Sequence, residues 1–146
     1  MFSENMDYIE LNIRATKIVS VKLDADMIHD VDKMVKKHNF RNRSEFIREA
    51  LNLYIELLNT HGRSGCRRLF SENMDYIELN IRATKIVSVK LDADMIHDVD
   101  KMVKKHNFRN RSEFIREALN LYIELLNMYD KKELKDAAKN RLKVAR

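Results

Sequence analysis

The segment from Phe2 to Asn59 recurs without a single change as Phe70 to Asn127. No other feature of the chain limits its folding as strongly, since a repeat of this kind describes one structural unit used twice. Duplicates drift apart with time, so perfect identity over so long a stretch means either a very recent duplication or a designed fusion. The second is favoured here. Four segments follow: a first unit over 1–59, a connection over 60–69, a second unit over 70–127 and a tail over 128–146. The connection holds both glycines of the chain, Gly62 and Gly65, and its one cysteine, Cys66. Its composition reads as a flexible tether, able to span at most ~33 Å when extended.

Charge is distributed unevenly between these segments. Each unit carries 9 Lys/Arg and 10 Asp/Glu, a net of −1, whereas the whole chain stands at +5. The excess positive charge therefore lies in the connection and the tail. A global charge argument for a nucleic-acid partner fails here, and local placement has to carry any such reading. The chain has no proline, which points to long helices and few tight turns. One cysteine excludes an intramolecular disulfide framework and a multi-cysteine zinc site. The N-terminal residues lack the pattern of an export signal, and no apolar run approaches the ~20 residues that span a bilayer. A soluble, cytoplasmic protein is the expectation.

Within one unit the periodicity changes twice. From Tyr8 to Leu23 apolar residues alternate, with Ile9, Leu11, Ile13, Val19, Val21 and Leu23 on one side. Period two over this length predicts extended chain with one buried face. The strongest part is Ile18 to Leu23, and Ala15-Thr16-Lys17 divides it from an N-terminal arm. Asp24 supplies a helix N-cap. Met27, Ile28, Val31, Met34 and Val35 then form a helical stripe, with Asn39 as its expected C-cap. Lys36, Lys37 and His38 lie in the last turn, where positive charge complements the helix dipole.

A second helix is expected to start near Asn42, which forms a capping-box pattern with Glu45. Phe46, Ile47, Ala50, Leu51, Tyr54, Leu57 and Leu58 make one apolar face, widened by Leu53 and Ile55. One strand and two helices in so short a unit cannot bury so broad a surface alone. Each unit is half of a core, and the two repeats are expected to pair with each other. After Asn127 the residues Met128 to Leu134 continue the second helix with no glycine or proline to stop it. Good helix formers run on to Val144, so an extended or a third helix is expected in a basic tail, with Leu134, Ala138 and Leu142 on one stripe.

A strand Val19-Ser20-Val21-Lys22-Leu23 running into Asp24, followed by Asn42-Arg43-Ser44-Glu45-Phe46-Ile47-Arg48-Glu49-Ala50-Leu51, resembles the ribbon-helix-helix family of MetJ and Arc type. The resemblance covers about Thr16 to Leu58 in each copy. It implies a mainly helical fold in which two units contribute one strand each to an antiparallel β-ribbon, here a pseudo-dimer with a C-terminal helical tail. It further implies that the ribbon enters the major groove of double-stranded DNA. Ile18, Ser20 and Lys22, with Ile86, Ser88 and Lys90, would then face the bases. Ile18 departs from the pattern, since members often carry a polar or basic residue there, although an aliphatic side chain can meet a thymine methyl. Asn42, Arg43 and Ser44, with Asn110, Arg111 and Ser112, would bind phosphate at the start of the second helix.

The expected function is that of a sequence-specific transcriptional regulator, a repressor built as a linked dimer, with higher-order assembly on DNA as a further option. Two other classes stay open: an antitoxin whose tail binds a protein partner, and a scaffold whose DNA binding is incidental. Several residues carry bland readings. Lys33, Lys36 and Lys37 read as a solvated helix face. His29, His38, His61 and their repeats lack metal-ligand spacing, and Cys66 reads as incidental. No cofactor or metal is implied. No nucleophile-base constellation, phosphate-binding glycine loop or paired-carboxylate pocket marks an enzyme.

Overall fold

A computed structural model describes residues 16–69, 84–134 and 136, the side chains of 67–69 excepted. The arm expected at Tyr8 to Ile13, its repeat, and the tail beyond residue 136 lie outside the described residues. The elements run β1 (Thr16–Asp24), α1 (Ala25–Lys37), α2 (Arg43–Leu69), β2 (Thr84–Asp92), α3 (Ala93–Lys105) and α4 (Arg111–Met128). β1 and β2 pair antiparallel in a two-stranded sheet, one strand from each repeat, with Ser20 opposite Ser88 at its centre. This is the expected architecture, mainly helical around a single ribbon.

The period-two pattern explains how the ribbon sits. Val19, Val21 and Leu23, with Val87, Val89 and Leu91, are buried against the helices, while the alternate residues point to solvent. Burying such a side chain contributes on the order of 1.5–3 kcal/mol, so the inward face fixes the register. The helices supply the other side of the core. All seven residues of the expected second-helix face, Phe46, Ile47, Ala50, Leu51, Tyr54, Leu57 and Leu58, are buried. Aromatic contacts join the repeats. Phe46 lies 5.2 Å from Tyr122 between ring centroids, and Tyr54 lies 5.3 Å from Phe114. Neither repeat closes this core by itself.

The helix ends show why each turn needs its residues. The Asp24 and Asp92 side chains accept from the backbone N–H of Met27 and Met95 at 2.8 and 2.7 Å. At the other end of α1 the cap falls on His38, one residue before the expected Asn39. Asn39 takes the next position with a positive φ, in the left-handed conformation that asparagine tolerates better than most residues. The amides of Asn39 and Phe40 donate back to the carbonyls of Lys36 and Val35. These two bonds close a Schellman motif, and the Phe40 ring is buried beneath it.

One segment differs from its sequence expectation. Residues 60–69 are helical rather than an open tether, and form the end of α2. The helix is broken at Gly62, where φ is 73° and ψ is 173°. That conformation suits glycine alone. The break redirects the chain, so that Cys66 is fully buried and Arg63 packs on the second repeat. In the tail, where an extended or a third helix is the expectation, α4 is not prolonged. α4 stops at Met128, Tyr129 is extended, and a new helical turn starts at Lys131. Asp130 and Glu133 form the capping box of that turn. The Asp130 carboxylate accepts from Glu133 N–H at 2.7 Å, and the Glu133 carboxylate accepts from Asp130 N–H at 3.1 Å. A strong N-cap in mid-pattern ends one helix and begins another.

Candidate nucleic-acid interface

The centre of the ribbon's outward face is formed by three cross-strand rows, flanked by the Thr16–Asp92 and Asp24–Thr84 pairs. Ile18 stands opposite Lys90, Ser20 opposite Ser88, and Lys22 opposite Ile86. All six side chains are exposed. The three rows are related by a pseudo-two-fold axis through the serine pair, because the two strands have one sequence and antiparallel register. Lys17 and Lys85 are exposed on the same ribbon. Its acidic residues, Asp24 and Asp92, are engaged as helix caps. The local charge is therefore positive although the repeat as a whole is not.

A two-stranded ribbon has only edge strands, whose outer N–H and C=O groups need partners. Here each edge is held by the second helix of the other repeat. Ser44 Oγ accepts from Lys90 N–H at 3.1 Å, and Arg48 Nη1 donates to the Lys90 carbonyl at 3.0 Å. The symmetric pair is Ser112, accepting from Lys22 N–H at 3.2 Å, and Arg116, donating to the Lys22 carbonyl at 3.1 Å. Residues four apart on a helix share a face, so Ser44 and Arg48 grip both polar groups of one peptide position. Desolvation is the main cause that pulls the Arg116 guanidinium pKa down. Arg48 and Arg116 are not among the residues that sequence reasoning singles out. Their signal is the four-residue spacing from Ser44 and Ser112, along the border of the helix's apolar face.

The start of the second helix is engaged in three ways. The Asn42 side chain accepts from Glu45 N–H at 2.9 Å, as the box pattern requires. Glu45 reaches back one residue further than usual, accepting from Arg41 N–H at 2.8 Å, and this bond holds its carboxyl below the ordinary range. Arg43 forms a two-pronged ion pair with Asp32 at 2.6 and 2.8 Å, repeated by Arg111 and Asp100. The hydrogen bonds from these guanidinium groups lower the pKa of both aspartates. The side chains of Asn42, Arg43 and Ser44 thus all have intramolecular partners. Among the described residues, the first-turn amides of Arg43 and Ser44 are groups that the cap leaves unengaged.

A strand from each repeat in one ribbon, each followed by two capped helices, is matched by a family model for "Ribbon-helix-helix protein, copG family". The match covers residues 17–58 and again 85–126. The chain belongs to the ribbon-helix-helix family. Its members are DNA-binding regulators that pair as dimers, and this chain carries both halves of such a pair. Comparison with curated proteins and with solved structures gives no match. Among the described residues of this ribbon-helix-helix chain, no helix is long and apolar enough to cross a membrane.

Proposed function

We propose that this chain is a sequence-specific transcriptional regulator, of repressor type, which places the β1–β2 ribbon in the major groove of double-stranded DNA. The observation that carries the reading is the outward ribbon face, with six exposed side chains in two-fold register and backbone edges held by the opposite repeat. A two-stranded ribbon fits the major groove, where each base pair shows a distinct pattern of donors and acceptors. Ile18, Ser20, Lys22, Ile86, Ser88 and Lys90 read bases. Asn42, Arg43, Ser44, Asn110, Arg111 and Ser112 position the protein on phosphate, chiefly through the backbone N–H groups of the helix start. The ion pair with Asp32 orients Arg43 and leaves it about half exposed, with side-chain exposure of 45%.

Selection of bound duplexes from a randomised pool at near-physiological salt tests this. A short inverted repeat is the expected product, since the ribbon has two-fold symmetry. Unpatterned binding that salt abolishes would reject the specific regulator. A Lys22→Ala, Lys90→Ala variant should lose sequence preference more than total affinity, by about 1–3 kcal/mol per contacted base. Binding titrations on selected and scrambled duplexes measure that split.

A further inference from the structure

We propose that the ribbon reads the 5-methyl groups of two thymines, one in each half of a two-fold operator, with a guanine beside each. This rests on the DNA-binding reading above and names the base chemistry of the same face. Ile18 and Ile86 are each 66% exposed, in the centre of a face otherwise made there of serine and lysine. One exposed aliphatic side chain needs no explanation. Two of them, related by the pseudo-two-fold axis and each set opposite a lysine, form a pattern.

The backbone geometry brings each isoleucine close to its lysine. The N–H and C=O of Lys22 and of Lys90 are both taken up at the ribbon edge by the opposite repeat. Both groups of a residue point the same way in an antiparallel strand, so neither lysine bonds to the isoleucine it faces. Ile18–Lys90 and Lys22–Ile86 are then non-hydrogen-bonded pairs, the kind with the closest side chains. Successive rows lie ~7 Å apart along the strands. That is about two base-pair steps of roughly 3.4 Å. Each Ile–Lys row therefore addresses neighbouring base pairs, while the serine row lies over the dyad.

The chemistry of the major groove then assigns the bases. Guanine offers two acceptors, O6 and N7, to a lysine ammonium, and thymine alone offers a methyl group. An isoleucine has no hydrogen bond to give. Placed over adenine, cytosine or guanine it would cover polar edge atoms without satisfying them. The four exposed lysines of the ribbon, Lys17, Lys22, Lys85 and Lys90, make the occupant a polyanion.

The test uses the full chain and a duplex chosen by the selection above. Each thymine is replaced in turn by deoxyuridine, which lacks only the 5-methyl group, and each guanine by 7-deazaguanine, which lacks N7. Two symmetric thymines should each account for about a fourfold loss of affinity, and both together for about fifteenfold. The Ile18→Ala, Ile86→Ala variant should bind thymine and uracil duplexes alike while still distinguishing 7-deazaguanine. Its melting temperature should be unchanged, because these side chains lie outside the core. Uracil substitution without effect at every position, or discrimination that survives in the alanine variant, overturns the proposal. Failure of the selection to enrich any sequence rejects the regulator itself, a separate outcome.

Discussion

Two corners of the molecule are built from identical residues and are held in different ways. In the first repeat the corner is His38, Phe40, Glu45 and Glu49; in the second it is His106, Phe108, Glu113 and Glu117. The second corner receives Arg63. Its guanidinium lies 3.9 Å from the Phe108 ring centroid, donates at 2.6 Å to Glu117 and at 3.2 Å to the carbonyls of both His106 and Asn107. Glu117 is buried beneath the half-buried Arg63 and also accepts from the Tyr54 hydroxyl at 3.1 Å. The first corner receives Lys131 instead, its ammonium 4.2 Å from the Phe40 centroid. Glu49 there is only half-buried. A planar, five-donor cation draws a carboxylate inward, whereas a point charge on a flexible stem rests on a ring. The repeat dictates the corner, and the segment that follows each repeat decides how it is closed.

The strongest way to break this comparison is to remove each cation in turn. Arg63→Ala should cost about 2–3 kcal/mol, somewhat less than a fully enclosed ion pair because Arg63 keeps some solvent contact. Lys131→Ala should cost less than about 1 kcal/mol, the range of an exposed cation–π contact. Urea denaturation of both variants measures the difference, and equal losses would show that the corners are equivalent. Adding Glu117→Gln to Arg63→Ala should recover part of the loss, since a neutral amide leaves no buried charge unpaired.

A smaller effect is expected from the residue that delivers Arg63. Gly62 adopts a conformation closed to other residues, and a β-carbon placed there would meet nothing within 4 Å. The cost of Gly62→Ala is therefore backbone strain alone, about 1–3 kcal/mol. Most of it should vanish in an Arg63→Ala background, where the segment has already lost its anchor. A thermal melt of the four combinations reads the coupling. Additive losses would mean that the kink and the ion pair are unrelated.

The same contrast explains what can be read from the sequence. Residues whose role depends on local spacing are legible: the alternation in β1, the Asp24 cap, the apolar face of α2 and the outward lysines. Each follows from the period of a strand or a helix. Roles set by distant neighbours are hidden. Arg43 looks like a free cation until the fold places Asp32, well back along the chain in α1, against it. Arg48 looks like one of many surface charges, and its acceptor lies in the other repeat. Arg63 sits among glycines and reads as part of a tether. The restart of the tail at Asp130 is one of two readings the stretch allows: Asp130 and Glu133 spell a capping box, while helix propensity runs unbroken through it.

The finest difference between the corners concerns protonation. His38 and His106 each have a buried Nε2 without a hydrogen-bond partner among the described residues. Burial is the largest cause that lowers both pKa values from 6.5. A histidine that resists charging when folded, and charges freely when unfolded, stabilises the protein fully above pH 6.5. That contribution is lost as pH falls through this value toward the folded one. The surroundings then separate the two. His106 feels the positive charges of Lys105 and Arg63, which both oppose protonation. His38 feels Lys37 and Lys131, but Asp130 acts in the opposite direction. His106→Gln should therefore flatten the fall in melting temperature between about pH 7.5 and 5.5 more than His38→Gln does. In an Arg63→Ala background the two substitutions should move closer together, because one of the charges that distinguish the corners is gone. If His38→Gln proves the larger, Asp130 does not offset the lysines beside it, and the electrostatic part of the comparison is reversed.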